Sequence, residues 1–173
     1  MRNFYVKQKV FSFRDRYKVY DENQNVMYHC EGKMFSLRNE VQIFETSTNR
    51  HTYTLSKKIF SFMPTYYLHD PQGNQVAFIK KNFAMLKQSI NIETAKHGFY
   101  HVEGNVWAHQ FTITDNQGIV VSVQKKLFAW GDTYEVAIDD TKAETDLMVA
   151  FVIMIDSMLH NNKKRSSSSS RRR

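Results

Sequence analysis

Seven histidines and one cysteine are the side chains here best suited to metal or nucleophilic chemistry, and their spacing decides whether they can act together. His29, His51, His69, His97, His101, His109 and His160 are scattered along the chain. Only His97 and His101 lie four apart, and Gly98 between them breaks the helix that would set them on one face. On a strand both would face the same side. No third ligand is indicated, so structural or solvated histidines and no metal are expected. Cys30 stands beside His29 in the strand-like run 27–31, but adjacency in sequence supplies no geometry for a nucleophile, and buried packing is its expected role. A lone cysteine closes no internal disulfide and points to a reducing compartment. The chain has no Gly-x-Ser-x-Gly elbow, no Gly-rich phosphate loop ending in Lys-Ser/Thr and no His-Glu-x-x-His. The expectation is a protein without catalytic residues or cofactor, with an unrecognised enzyme using a rim site as the least favoured class.

Lysines offer the other chemistry. The pairs Lys57-Lys58, Lys80-Lys81 and Lys125-Lys126 are the candidate anion-binding residues. Neighbours on a strand point oppositely, so at most one lysine of each pair should project outward unless it lies at a rim. Two readings stand: a phosphate site, or cations that end strands, solubilise the rim and discourage edge association. The pI of about 9.4 says little about the body of the protein. Six of the 24 basic residues lie between Lys163 and Arg173, which leaves 18 against all 17 acidic residues in 1–162, a balance of +1. The segment 163–173, with five consecutive serines, cannot bury apolar surface and is expected to be disordered, attracting nucleic acid only weakly and unspecifically. Lys7, Lys9 and Arg14 interrupt the opening residues, so no signal-peptide core is read and a cytoplasmic location is expected.

The elements that must carry these side chains come from an internal repeat. Lys-x-Phe followed by Ser or Ala and a large apolar residue occurs at 9–13, 33–37, 58–62, 81–85 and 126–130, and a degenerate copy with Trp fits at 105–109. The central aromatics Phe11, Phe35, Phe60, Phe83, Trp107 and Phe128 are read as packing elements that seal one end of the fold, with base stacking or lipid insertion as the functional alternative. After each motif an alternating stretch such as Val41-Gln42-Ile43-Phe44 or Phe111-Thr112-Ile113-Thr114 has the two-residue period of a strand. Turn residues come next, as in Asp70-Pro71-Gln72-Gly73-Asn74, and then a returning strand, so each repeat is one hairpin.

The array begins with half a unit, Phe4–Lys9, and ends with the complementary half, Asp132–Ile138. Pairing these halves removes both exposed edges, which predicts a mainly β fold, a closed, twelve-stranded, largely antiparallel barrel. Thr141-Lys142-Ala143-Glu144 has capping-box spacing and predicts a helix over about 142–160. Its run from Leu147 to Ile155 is apolar all round, so it must be surrounded, yet it is far shorter than the ~20 residues that cross a bilayer. Twelve strands ~4.8 Å apart and tilted ~40° make a cylinder roughly 24 Å across, which leaves room for one helix of ~10–12 Å. The expected organisation is a single domain, 1–162, with this helix in the lumen and the tail 163–173 beyond it.

The residues Tyr5-Val6-Lys7-Gln8-Lys9-Val10-Phe11-Ser12, Tyr17-Lys18-Val19-Tyr20-Asp21, Glu31-Gly32-Lys33, the block Phe128–Glu135 and the closing apolar helix ending Ile155-Asp156 resemble the LURP-one-related branch of the tubby C-terminal-like superfamily. The resemblance spans residues 4 to about 160. It implies the barrel with a central helix more firmly than it implies an activity. Within the superfamily, tubby proteins bind phosphoinositides through basic side chains outside the barrel and the scramblase branch acts at bilayers. For this chain the resemblance implies a non-enzymatic binding or scaffold module, its partner an anionic phospholipid or a protein, its location cytoplasmic or peripheral at the membrane. A nucleic-acid or regulatory interaction protein using the basic tail is the alternative.

Overall fold

The structure, a computed structural model, describes residues 1–8, 15–32, 40–58, 65–80, 89–125 and 133–169. Twelve strands, β1 (Arg2–Gln8), β2 (Asp15–Tyr20), β3 (Val26–Gly32), β4 (Val41–Glu45), β5 (Arg50–Lys57), β6 (Thr65–His69), β7 (Gln75–Lys80), β8 (Ser89–Thr94), β9 (Phe99–Asn105), β10 (Gln110–Asp115), β11 (Gly118–Lys125) and β12 (Thr133–Ile138), precede one long helix, α1 (Thr145–Ser169). Each strand is antiparallel to its neighbour, and β1 pairs with β12 from Arg2 opposite Ile138 to Lys7 opposite Thr133. The ring is therefore shut and has no free edge.

Alternation explains which face is which. In β4 Val41 and Ile43 are buried while Gln42 and Phe44 are only half covered, and in β9 Tyr100 and Val102 are buried between exposed Phe99, His101 and Glu103. These inward residues meet α1, whose residues Leu147 to Leu159 are all buried. Phe151 packs edge-on to Tyr100 of β9 at 5.3 Å between ring centres, while Tyr28 of β3 and Tyr17 of β2 reach Asp146 and Ser157. A helix touched from such separate parts of a closed ring lies in its lumen, and one contiguous apolar core results.

Local departures have local causes. Thr52 is an extra residue in β5, and its hydroxyl donates to the Ile43 carbonyl at 3.1 Å. Gly104 has φ +115°, and a Cβ there would fall 2.6 Å from the Gln110 carbonyl oxygen, so only glycine fits. A short 3-10 turn, Val106–Ala108, joins β9 to β10 where the degenerate repeat motif lies.

The helix bounds differ from those expected. α1 starts at Thr145 rather than 142, because the Asp139 carboxylate takes the Thr141 hydroxyl at 2.7 Å and its amide at 3.3 Å, and Lys142 and Ala143 donate their amides to the Asp139 carbonyl. That turn engages the hydroxyl which the capping box required. At its other end the helix continues to Ser169, through residues expected to be disordered. No Gly or Pro comes after Gly131, so nothing in the sequence stops the helix near 160.

Candidate functional site

Because α1 fills the lumen, chemistry at the surface must come from the two mouths or the outer wall. The odd-numbered strands all run the same way, so the two mouths differ in kind. The short turns at 21–25, 46–49, 70–74, 95–98 and 116–117 and the start of α1 lie at one, here the turn mouth; η1, the 3-10 turn at 106–108, and the ends of β5, β7 and β11 lie at the other, the loop mouth.

The turn mouth is acidic. Asp21, Glu22, Glu45, Asp70, Glu93, Asp115, Asp139, Asp140, Glu144 and Asp146 lie on its turns and strand ends, against Arg2, Arg50, Lys96 and Lys142. Several of these carboxylates build the turns themselves. Asp70 accepts the Asn74 amide at 2.8 Å and its side-chain nitrogen at 2.9 Å, and Asp21 takes the same two groups of Asn25 at 2.8 and 2.9 Å. The hydrogen bonds from Asn74 and Asn25 lower both acids below the usual carboxylate range. Asp146, in the first turn of α1, accepts from Tyr28 at 2.6 Å and pairs with the Arg50 guanidinium at 2.7 Å, which also reaches Glu45 at 3.3 Å. These contacts tie the helix start to β3, β4 and β5. Beside them lies a cleft of about 490 Å³, whose lining includes Arg50, Tyr53, Asp70, Lys96, Glu144 and Asp146. Burial, and after it the Glu144 carboxylate, pushes the Tyr53 hydroxyl up, so it remains a neutral donor.

The loop mouth holds Lys57, Lys58, Lys80 and Lys125 of the lysines singled out from sequence, and the register separates them. Lys57 stands opposite Tyr66, which is buried and faces inward; the Lys57 ammonium lies 5.5 Å from the centre of that ring. Lys58 comes next, on the outer face beside Thr65, to whose carbonyl its amide donates at 2.9 Å. Lys80 shares that outer face, across Thr65, with its ammonium 5.2 Å from the Phe78 ring centre. Lys125 faces inward opposite Tyr134. The pairing of one inward and one outward lysine is thus present at 57–58. Lys81 and Lys126 lie outside the described residues, as do Phe11, Phe35, Phe60, Phe83 and Phe128. Of the repeat aromatics, Trp107 is described, and it does not seal the fold: it is 44% exposed in η1.

Beneath this mouth is a polar cluster that sequence reading missed. Asp156, 2% exposed on α1, meets His109 Nε2 at 2.8 Å. The His109 ring stacks on Tyr134 at 4.4 Å, and His109 itself adopts the left-handed backbone with φ 53°. One residue along, Ser157 shares a hydrogen bond of 3.2 Å with the buried Tyr17 hydroxyl. Burial first and the Asp156 carboxylate second hold the Tyr17 and Tyr134 hydroxyls neutral far beyond the ordinary range. Burial alone pushes the Cys30 thiol up, which disfavours the thiolate that a nucleophile needs. The cluster fixes the depth and rotation of α1 in the barrel. Its members come from β2, the residue that caps η1, β12 and α1, so no local motif announces it; the signal available was a polar pair, Asp156-Ser157, closing an otherwise apolar helix and needing partners from the wall.

On the outer wall the rings of His29, Phe44 and His51 succeed one another across β3, β4 and β5 at 5.3 Å, and Lys7 of β1 stands beside Lys18 of β2. His101 is exposed on β9 and bonded to Asn91 at 2.8 Å, while His97 lies in the adjoining turn. Among the described residues no three His, Cys, Asp or Glu side chains are placed to hold a metal ion. Nor is any helix among them long and apolar enough to cross a membrane.

Comparison with known proteins places this arrangement. The family model described as LURP-one-related matches residues 2–156. The uncharacterised protein YxjI of Bacillus subtilis is 29% identical over 163 residues, covering 93% of this chain and 96% of that protein. An X-ray structure of a protein from Arabidopsis thaliana superposes with a TM-score of 0.65 at 12% identity, over 91% of this chain and 90% of that one, which is a likeness of fold.

Proposed function

We propose, from the premise that this chain belongs to the LURP-one-related family, that it is a non-enzymatic binding or scaffold module of the cell interior, which contacts an anionic phospholipid surface or a protein partner through its rim or outer wall. The observation that carries the reading is the occupied lumen. Small barrels that bind ligands usually do so inside, and here Leu147 to Leu159 take that space. What remains for recognition is the surface, with an acidic mouth at one end and Lys57, Lys58, Lys80 and Lys125 at the other. The buried tyrosines and cysteine are held neutral, and the polar cluster serves to seat the helix.

Vesicle flotation tests the lipid half. Vesicles of phosphatidylcholine alone and of equal parts phosphatidylcholine and phosphatidylglycerol are floated with the full chain at low salt, where the Debye length is longest, and again at high salt. Binding to the anionic vesicles that fades with salt supports a lipid surface. Failure to float at low salt rejects it and leaves a protein partner, sought by cross-linking in the native cell.

A further inference from the structure

We infer that the barrel meets an anionic bilayer with its loop mouth first rather than by its outer wall. The inference rests on the lipid half of the proposed function and adds the face that docks.

Charge balance is the first ground. The turn mouth carries ten Asp and Glu against four Lys and Arg, a net −6, all within described residues. The other described residues of 1–162 carry seven Lys and Arg against six Asp and Glu, a net +1. A body charged this way turns in the field of a negative surface until the acidic end points away. The acidic excess of the described barrel is thus gathered at the turn mouth.

Ring geometry is the second. Lys57 and Lys58 sit at the end of β5 and Lys125 at the end of β11, six positions apart in a ring of twelve, which is diametrically opposite. Across a cylinder roughly 24 Å wide, a wall that brings one set to a flat surface holds the other beyond the ~8 Å reach of charge in physiological salt. Presenting the mouth brings both sets close at once. α1 leaves the barrel by this mouth: its last described buried residue is Leu159, and the ten helical residues beyond it, ~15 Å of helix, include Lys163, Lys164 and Arg165.

A third ground separates a bilayer from other polyanions. Trp107 is exposed at this same mouth, and tryptophan favours the interfacial layer of a membrane. Among the described residues the other large exposed apolar side chains, Met1, Phe99 and Ile119, lie at the acidic mouth, which a negative surface repels.

The test compares two double charge reversals of equal net charge, K58E/K125E at the loop mouth and R2E/K142E at the turn mouth, by flotation on phosphatidylcholine–phosphatidylglycerol vesicles. Thermal melts check that each is folded, and K58Q/K125Q replaces the first if it is not. At roughly fivefold per unit of charge near the surface, the loop-mouth reversal, which changes four units, should lose several-hundredfold in partitioning (about 25-fold for K58Q/K125Q), while the turn-mouth variant changes by no more than a few-fold. In a Trp130→Phe background, Trp107 emission should shift to the blue on binding. Equal losses from the two variants, or binding without that shift, overturn the mouth-first geometry while leaving lipid binding intact. A wild-type chain that ignores anionic vesicles at low salt refutes the reading beneath it, and the geometry falls with it.

Discussion

Replacing Phe151 by alanine tests the central helix at its most enclosed point. The side chain is fully buried and packs edge-on to Tyr100 at 5.3 Å and 67° between planes. Removing a buried Phe costs about 3–5 kcal/mol in lost transfer and in the cavity left behind. Within that loss, the edge-to-face contact accounts for about 0.5–1.5 kcal/mol. A domain of this size melts about 2–4 °C lower for each kcal/mol lost, so the midpoint should fall by roughly 6–20 °C. Urea titration monitored by circular dichroism should show a lower midpoint and an unchanged slope, since the folded and unfolded surfaces stay nearly the same. A double-mutant cycle with Tyr100→Leu should return a coupling of about 0.5–1.5 kcal/mol between helix and wall. A change below about 0.5 kcal/mol is the mark of a surface position, and would show that the helix does not occupy the lumen.

The same structure sets three further outcomes. Val152→Asp, at a position 1% exposed, places a carboxylate among apolar neighbours and should cost several kcal/mol; a soluble variant with a wild-type melting curve would contradict burial. Gly104→Ala should destabilise by about 2 kcal/mol or more, since its Cβ would meet backbone at 2.6 and 2.9 Å, while Gly73→Ala, with open space around it, should cost about half as much; equal costs would remove the steric argument. Asp21, Asp70 and Asp139 titrate below their unfolded values because of hydrogen bonds within their turns. Their stabilisation is therefore complete above the ordinary carboxylate pKa and is lost as pH falls through the folded values, so the urea midpoint should hold from neutrality to about pH 5 and then decline. A midpoint that rises on acidification would reverse the sign.

The barrel is legible in the sequence because its signals repeat. A motif every two dozen residues, a two-residue period between copies and one apolar run after the last strand each constrain the same architecture, and complementary half-hairpins at the ends imply closure. The helix start differs by three residues because Thr141 has two suitors, the Glu144 capping partner and Asp139, and local spacing cannot rank them. The polar cluster is illegible for a different reason. Tyr17 and Ser157 are 140 residues apart and His109 and Asp156 are 47 apart, so their meeting is a product of the closed ring. The charge pattern lies between these cases. Acid-rich turns recur along the chain, and a sum over the sequence does not show that the fold gathers them at one end.

Pairing β1 with β12 also sets a schedule for the ribosome. The first strand has no partner on that side until residue 138 has been made, on the order of ten seconds of synthesis later, and the core then still awaits α1. Through that interval the nascent chain exposes two raw β edges and a greasy inner face, so assembly must be late, cooperative and rich in contacts distant along the chain. Conditions that crowd or stall translation should harm the yield of this protein well before they harm the finished molecule.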